Sequence, residues 1–371
     1  MTVTIKQVNS KSELNQFIKL PWKVYKNDIN WVAPLISHMK SAFNPNKNPY
    51  FKHSEVQFFL ALKNNVVIGR IAAHINRNHN KFHKDKVGFF GFFECIPDYD
   101  AAQALFDEAR NWLKNRGMEI IRGPMSFSTN DECGLLVKGF NMPPMVMMTY
   151  NPQYYESFIE KYGFKKAKDL YAYYINLKKM PERFDRIMKR VNKRKKFILR
   201  KINPKKMEEE ISTIFYIYNQ AWQNNWGFVP MEEDEFRHLT KKLKLIIDYD
   251  FVFIAEIDGK PVGFSLSLPD INQELIKIKG RLFPFGWLKL LLASKKIDRV
   301  RAITLGVVKE YKNLGIDLAF YYETIKNAIK KGCARGEMSW VLEDNIRMRR
   351  PLEKIGAEIY KTYRIYDMKL N

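Results

Sequence analysis

Val307-Val-Lys-Glu-Tyr-Lys312-Asn-Leu-Gly315-Ile-Asp317-Leu318-Ala319 is the stretch on which the fold of this 371-residue chain turns. A β-branched run, Val300 to Val308, ends in it. Beyond it Leu318, Ala319, Tyr322, Ile325 and Ala328 recur at helical spacing, which predicts a strand, a glycine turn and a helix over Ile316 to Lys330. A helix N-terminus carries unpaired N–H groups and the positive end of a dipole, and a glycine beside it lets a pyrophosphate approach. Lys312 stands where it can contact a phosphate, whereas Asp317 brings a carboxylate into the same turn.

Downstream, Met338 to Leu342 reads as a strand, followed by a helix from Asn345 that stops at Gly356 and by a last strand. Upstream, Phe251 to Ile257 and Val262 to Leu268 flank Asp258-Gly259 as a hairpin, preceded by helices over Ile211 to Trp222 and Phe236 to Ile247. The N-terminal half repeats this order. Ser10-Lys-Ser-Glu13 is a capping box opening a helix near Lys11. Val56 to Leu62 and Val66 to His74 form a hairpin about Asn64-Asn65, and Val87 to Cys95 is a strand. An amphipathic helix from Ala101 to Leu113, a strand at Met118 to Ile121, a helix from Asn151 to Tyr162 and a strand at Leu170 to Leu177 complete it. The expected organisation is α+β, with mixed sheets flanked by helices. One domain spans 1–177, a basic inter-domain helix 178–206, and a second domain 207–371.

Two such halves resemble the GNAT acyl-CoA acyltransferase superfamily in its tandem form. The family's cofactor motif is a strand followed by Arg or Gln, two residues, Gly, one residue, and Gly or Ala; here it stands as Lys312-Asn-Leu-Gly315-Ile-Asp317, with Asp317 replacing the small residue. Glu343-Asp-Asn345 through Gly356 matches the spacing of the second motif, but Leu352 occupies the place of the Tyr that protonates the departing thiolate in many members. The resemblance implies acyl-CoA or acetyl-CoA as co-substrate, held by Val307, Val308, Lys312, Leu314, Gly315 and Leu318. Backbone N–H groups of Val307 and Val308 would polarise the thioester carbonyl. Glu343 is the candidate base for an attacking amine and Asn345 a ligand contact or a helix cap. Tyr366, with Tyr360 and Tyr363, is the candidate acid. In the first half, Cys95-Ile-Pro-Asp-Tyr-Asp100 lacks both the basic residue and the glycine, so that half reads as a degenerate copy.

Trp222, Trp226 and Phe228, ending a helix among amides, suit either the wall of an acceptor cleft or a helix-end core. Lys and Arg number 63 against 40 Asp and Glu, a net charge of +23 that attracts polyanions. The partners this brings forward are an anionic membrane, contacted through the aromatic and Lys-rich stretch Gly280 to Lys296, and nucleic acid, through the basic stretch from Lys189 to Lys206. Three reaction readings result. The first is N-acylation of an amine by acyl-CoA, including a sphingoid base, as in some bacterial tandem acyltransferases of similar layout. The others are an aminoacyl-tRNA-dependent transferase of the peptidoglycan type and a non-catalytic docking module. The three cysteines lack metal spacing, no Gly-x-Ser-x-Gly elbow occurs, and neither metal nor nucleophile chemistry is indicated. A cytoplasmic location is expected, with peripheral contact to the inner membrane face.

Overall fold

The computed structural model describes residues 2–193, 195–283, 286–288 and 297–370. Its contacts divide the chain into two units. Unit 1 comprises 1–169, 274–290 and 362–371, and unit 2 comprises 170–273 and 291–361.

In unit 1, β1 (Thr4–Gln7), β2 (Ser54–Lys63), β3 (Val66–Asn76) and β4 (Val87–Cys95) pair antiparallel in that order. Asn64 and Asn65 both take positive φ, 52° and 60°, as a two-residue hairpin with the strands' right-handed twist requires. β5 (Ile120–Gly123) joins β4 in parallel and continues into β6 (Met125–Ser126), which pairs with β7 (Glu132–Cys133). The helix Tyr99–Lys114 buries Leu105, Phe106, Ala109 and Leu113 on this sheet; each large side chain contributes roughly 1.5–3 kcal/mol of transfer free energy. The helix Lys11–Lys19 starts at the expected capping box, with both Ser10 and Glu13 side chains engaged. His79 lies on the short helix Arg77–His83, capped by Asn76 and buried beside Phe89. Burial lowers its imidazole pKa to about 3.

The sheet of unit 1 is completed from the far end of the chain. β8 (Leu135–Lys138) and β5 both pair antiparallel with the stretch Thr362–Lys369. In unit 2 the equivalent place, beside β14 (Arg335–Leu342), is taken by Leu170–Asn176 of β9 (Lys165–Asn176). The unit boundaries therefore differ from those read in sequence, because the two terminal strands count with the units whose sheets they complete.

Unit 2 continues from β14 through β13 (Arg299–Val307), β12 (Lys260–Pro269), β11 (Val252–Ile257) and β10 (Ile198–Lys201). Asp258 and Gly259, at φ 49° and 75°, turn the hairpin expected there. The helix Ile316–Lys330 covers one sheet face through Phe320 and Ile325, and Met207–Ala221 covers the other through Ile217, which packs with Ile254 and Phe264. The basic helix Glu182–Lys193 belongs to this unit rather than to a linker: Phe184 and Met188 are buried in its core, and the Tyr322 hydroxyl donates to Asp185 at 2.7 Å. Among the described residues no helix is long and apolar enough to cross a membrane, and no three His, Cys, Asp or Glu side chains gather as for a metal ion.

Candidate active site

Unit 2 opens where β13 leaves β14. The two pair in parallel only from Arg299↔Arg335 to Ala302↔Met338. Against β12 the register jumps from Leu266↔Thr304 to Ser267↔Ala302, so Ile303 is an extra residue, and such a bulge bends its strand. From Ile303 on no ladder joins β13 to β14, which leaves a gap in the pairing, and Ile303, Thr304 and Leu305 are only half-buried. The antiparallel ladder then sorts the two expected carbonyl-polarising groups. The Val308 N–H donates to Val262 O at 2.9 Å and is engaged within the sheet. Val307, paired opposite Gly263 one step along, has its N–H on the edge that faces away from β12.

The turn follows at once. Asn313 and Gly315 take left-handed backbone, φ 77° and 80°, and the helix Ile316–Lys330 begins without a side-chain cap. Its first N–H groups are therefore directed at the turn. A Cβ on Gly315 would meet Val191 Cγ1 at 3.0 Å, so this residue needs both its positive φ and its lack of a side chain. Lys309, Lys312 and Arg347 crowd the turn, and Arg347 donates to the Asn313 side chain. Burial, then repulsion by Arg347 and Lys309, lowers the pKa of the Lys312 ammonium. Converging cations at an uncapped helix start fit a polyphosphate, which would relieve their repulsion. Asp317 opposes this, but it lies close enough to Tyr321 to add to the burial that raises that hydroxyl's pKa.

At the end of β14, the Glu343 carbonyl accepts from Arg349 at 2.6 Å, and Arg349 also donates to the Tyr173 hydroxyl at 3.1 Å, so the backbone carrying the half-buried Glu343 is anchored. Asn345 caps the helix Ile346–Lys354, its side-chain oxygen accepting from Met348 N–H at 3.2 Å. Leu352 is fully buried. Leu314 and Leu318 flank Gly315, the first exposed and the second half-buried. Trp222 stacks on Tyr218 at 4.9 Å and lies over Gly306, where a Cβ would fall 2.2 Å from its ring; this contact explains a glycine near the end of β13, one residue before Val307. Phe228 is buried 6.1 Å from Tyr218, and Trp226 is half-buried.

Tyr366 is not part of this group. It lies in unit 1, fully buried in that core opposite Gly123, and its hydroxyl donates to Glu160 at 3.2 Å, because the strand that carries it pairs with β5. Tyr363 is likewise buried in unit 1, opposite Leu136. Tyr360 stays in unit 2, where it donates to Glu337.

That contact reveals a cluster that the sequence reading missed. At the vertex of the gap, Arg301 pairs with Glu337 at 3.2 Å and donates to Ser339 Oγ at 2.8 Å, while Ser339 also donates to Glu337. All are buried, as is Lys361, whose pKa burial lowers to about 8 against the opposing pull of Glu337. The available signal was charged residues inside otherwise apolar β runs.

Unit 1 has the same construction with different contents. β4 pairs with β5 only as far as Phe89 and beyond that carries one extra residue against β3, with Phe92 at φ 49°. The following helix, however, is closed by its own carboxylate: Asp98 accepts from Ala101 N–H at 3.2 Å and pairs with Lys63 at 2.8 Å. An anion already occupies the place that is uncapped in unit 2.

No protein-family model matches the chain. It is 38% identical over 371 residues to the bacterial ceramide synthase of Caulobacter vibrioides (strain NA1000 / CB15N), covering 98% of this chain and 96% of that protein. It is 37% identical over 370 residues to protein YghO of Escherichia coli (strain K12), covering 97% and 94%. Among solved structures it resembles a tandem GNAT protein from the clavulanic acid biosynthesis pathway, at TM-score 0.58 and 10% identity over 100% of this chain and 99% of that one. A GCN5-related N-acetyltransferase from Sphaerobacter thermophilus matches at TM-score 0.54 and 10% identity, over 100% and 96%. At such identities these likenesses concern the fold, and they agree with the two halves described above. With near-complete coverage at more than a third identity, the chain belongs to the family of the bacterial ceramide synthase and is built on the tandem GNAT fold.

Proposed function

We propose that this protein is an acyl-CoA-dependent N-acyltransferase whose acceptor is a long-chain lipid amine such as a sphingoid base. The observation that carries the donor half of this reading is the uncapped helix start at Gly315 ringed by Lys309, Lys312 and Arg347, beside a strand gap into which the Val307 N–H is directed. The acceptor half is supported by the kinship with a protein named ceramide synthase.

In this reading the three cations and the first-turn N–H groups hold the phosphates of the donor, with Leu314 and Leu318 against its pantetheine arm. The Val307 N–H polarises the thioester carbonyl. Glu343 takes the proton from the amine as its nitrogen attacks the carbonyl carbon; the C–N bond forms, the C–S bond breaks, and the thiolate leaves with the electron pair. Leu352 supplies no proton, so the thiolate is protonated by solvent or by the cluster about Tyr360. Trp222, Trp226 and Phe228 form the acceptor wall, with Trp222 next to the strand that carries Val307. Asn345 positions the Ile346–Lys354 helix and makes no contact with the reacting atoms.

Calorimetric titration with acetyl-CoA and palmitoyl-CoA tests the donor half. Lys312→Glu, an exchange at a half-buried position of the turn, is expected to abolish binding while leaving the thermal midpoint within a few degrees. Equal binding by the variant, or none by the wild type, would remove the site from unit 2.

A further inference from the structure

Unit 1 carries an apolar platform, reached through an anchored turn, with no part in the chemistry above. After the helix Asn272–Ile278, Lys279 and Gly280 take left-handed backbone in succession, φ 48° and 78°, and turn the chain sharply. The turn is locked onto the Trp22–Ile36 segment. Trp22 Nε1 donates to Lys279 O at 3.0 Å, Ile36 N–H donates to Gly280 O at 3.3 Å, and a Cβ on Gly280 would fall 2.5 Å from Pro34 O. Trp22 meets Trp31 edge-on at 5.4 Å, and Trp31 stacks on Tyr25 at 4.8 Å, so the support is itself packed. The platform displays Phe283 at 82% exposure, Trp287 at 47% and Leu288 at 41%, with Lys277, Lys279 and Arg281 exposed along the same segment. Ile29, on the supporting segment, is 86% exposed.

We infer that this platform docks unit 1 on an anionic lipid bilayer. Aromatic and leucine side chains held out by an anchored turn match the headgroup boundary, which buries Phe283 and Leu288 and can wet the indole N–H of Trp287 while burying its ring. The flanking cations match an anionic surface, each adding about five-fold to partitioning there. A second copy of the chain would oppose these cations with the same cations, which disfavours self-association through this face. The inference deepens the proposed lipid-amine reaction, since both its substrates are amphiphiles that gather in membranes.

The test is partitioning of the full-length chain, without substrates, onto vesicles of phosphatidylglycerol and phosphatidylethanolamine and onto phosphatidylcholine vesicles, at low and high salt. The wild type is expected to bind the anionic vesicles with a blue shift in tryptophan emission. F283S/L288S is expected to weaken binding at least ten-fold at either salt, and K279E/R281E at least about 25-fold at low salt only. Failure of the wild type to bind anionic vesicles, or binding by both variants at wild-type strength, would overturn the inference. So would a dimer by light scattering that F283S/L288S converts to monomer. Acyl transfer from short-chain acyl-CoA to a water-soluble amine, expected to be unchanged in both variants, is read separately; its absence in the wild type would count against the reaction and not against docking.

Discussion

Lys312 and Lys361 are both lysines whose pKa is depressed first by burial, but their neighbours differ and so do the consequences. Lys312 stands among like charges at a helix start, so a bound polyanion relieves it; Lys312→Ala is expected to weaken acyl-CoA binding about ten-fold, as loss of one charge-assisted contact does, with kcat little changed. Lys361 is lowered to about 8 by burial. A group that binds its proton less readily when folded costs stability at every pH below its folded value, and that cost disappears as pH rises toward its unfolded value near 10.5. Lys361→Met is therefore expected to be more stable than the wild type at pH 7, by up to about 3 kcal/mol, with the difference shrinking between pH 8 and 10.5 in urea melts. A constant or growing difference would place the charge elsewhere. The setting of Lys312 was legible in the sequence because Gly315 and the helix start lie only three and four residues away. Lys361 was not, since Arg301 and Glu337, which give it meaning, come from other strands.

Among the elements, the strand–turn–helix unit was read to within a residue because β-branched residues, a glycine and a helical stripe follow one another without interruption: Ile316 to Lys330 was expected and is found, and the strand expected over Val300 to Val308 is Arg299–Val307. The bulge at Ile303 and the gap it opens were invisible, because a register shift is a relation between β12 and β13 that neither strand encodes alone. Asn345 offers an element-level test. As a cap, Asn345→Ala is expected to cost about 1 kcal/mol, and Asn345→Asp, which still accepts from Met348 N–H, much less, with kcat/KM in both within a few-fold of wild type. Stable Asp and Ala variants with activity lost a hundred-fold would instead put the amide on a substrate.

For the whole molecule, the tandem repeat was legible as a twice-repeated order of elements, but the destination of the terminal strands was not. Tyr366 was assigned to the second half's chemistry because it follows that half in sequence, while its strand pairs with β5, and Asp367 binds Arg122 at 2.7 Å. Removing residues 362–371 is accordingly expected to expose the edge of β5 and to unfold unit 1, with hydrogen exchange in β4 and β5 accelerated. Protection retained there would mean that unit 1 folds without the strand. The central claim, that the uncapped turn of unit 2 serves acyl transfer to a lipid amine, is tested most directly by quantifying by mass spectrometry the N-acyl product and free CoA formed from palmitoyl-CoA and sphinganine, in the wild type and in Lys312→Ala/Arg347→Ala. The expected result is amide and CoA in equal amounts from the wild type and at least a hundred-fold less from the double variant at sub-saturating donor. No amide from the wild type, or undiminished amide from the variant, would contradict the account.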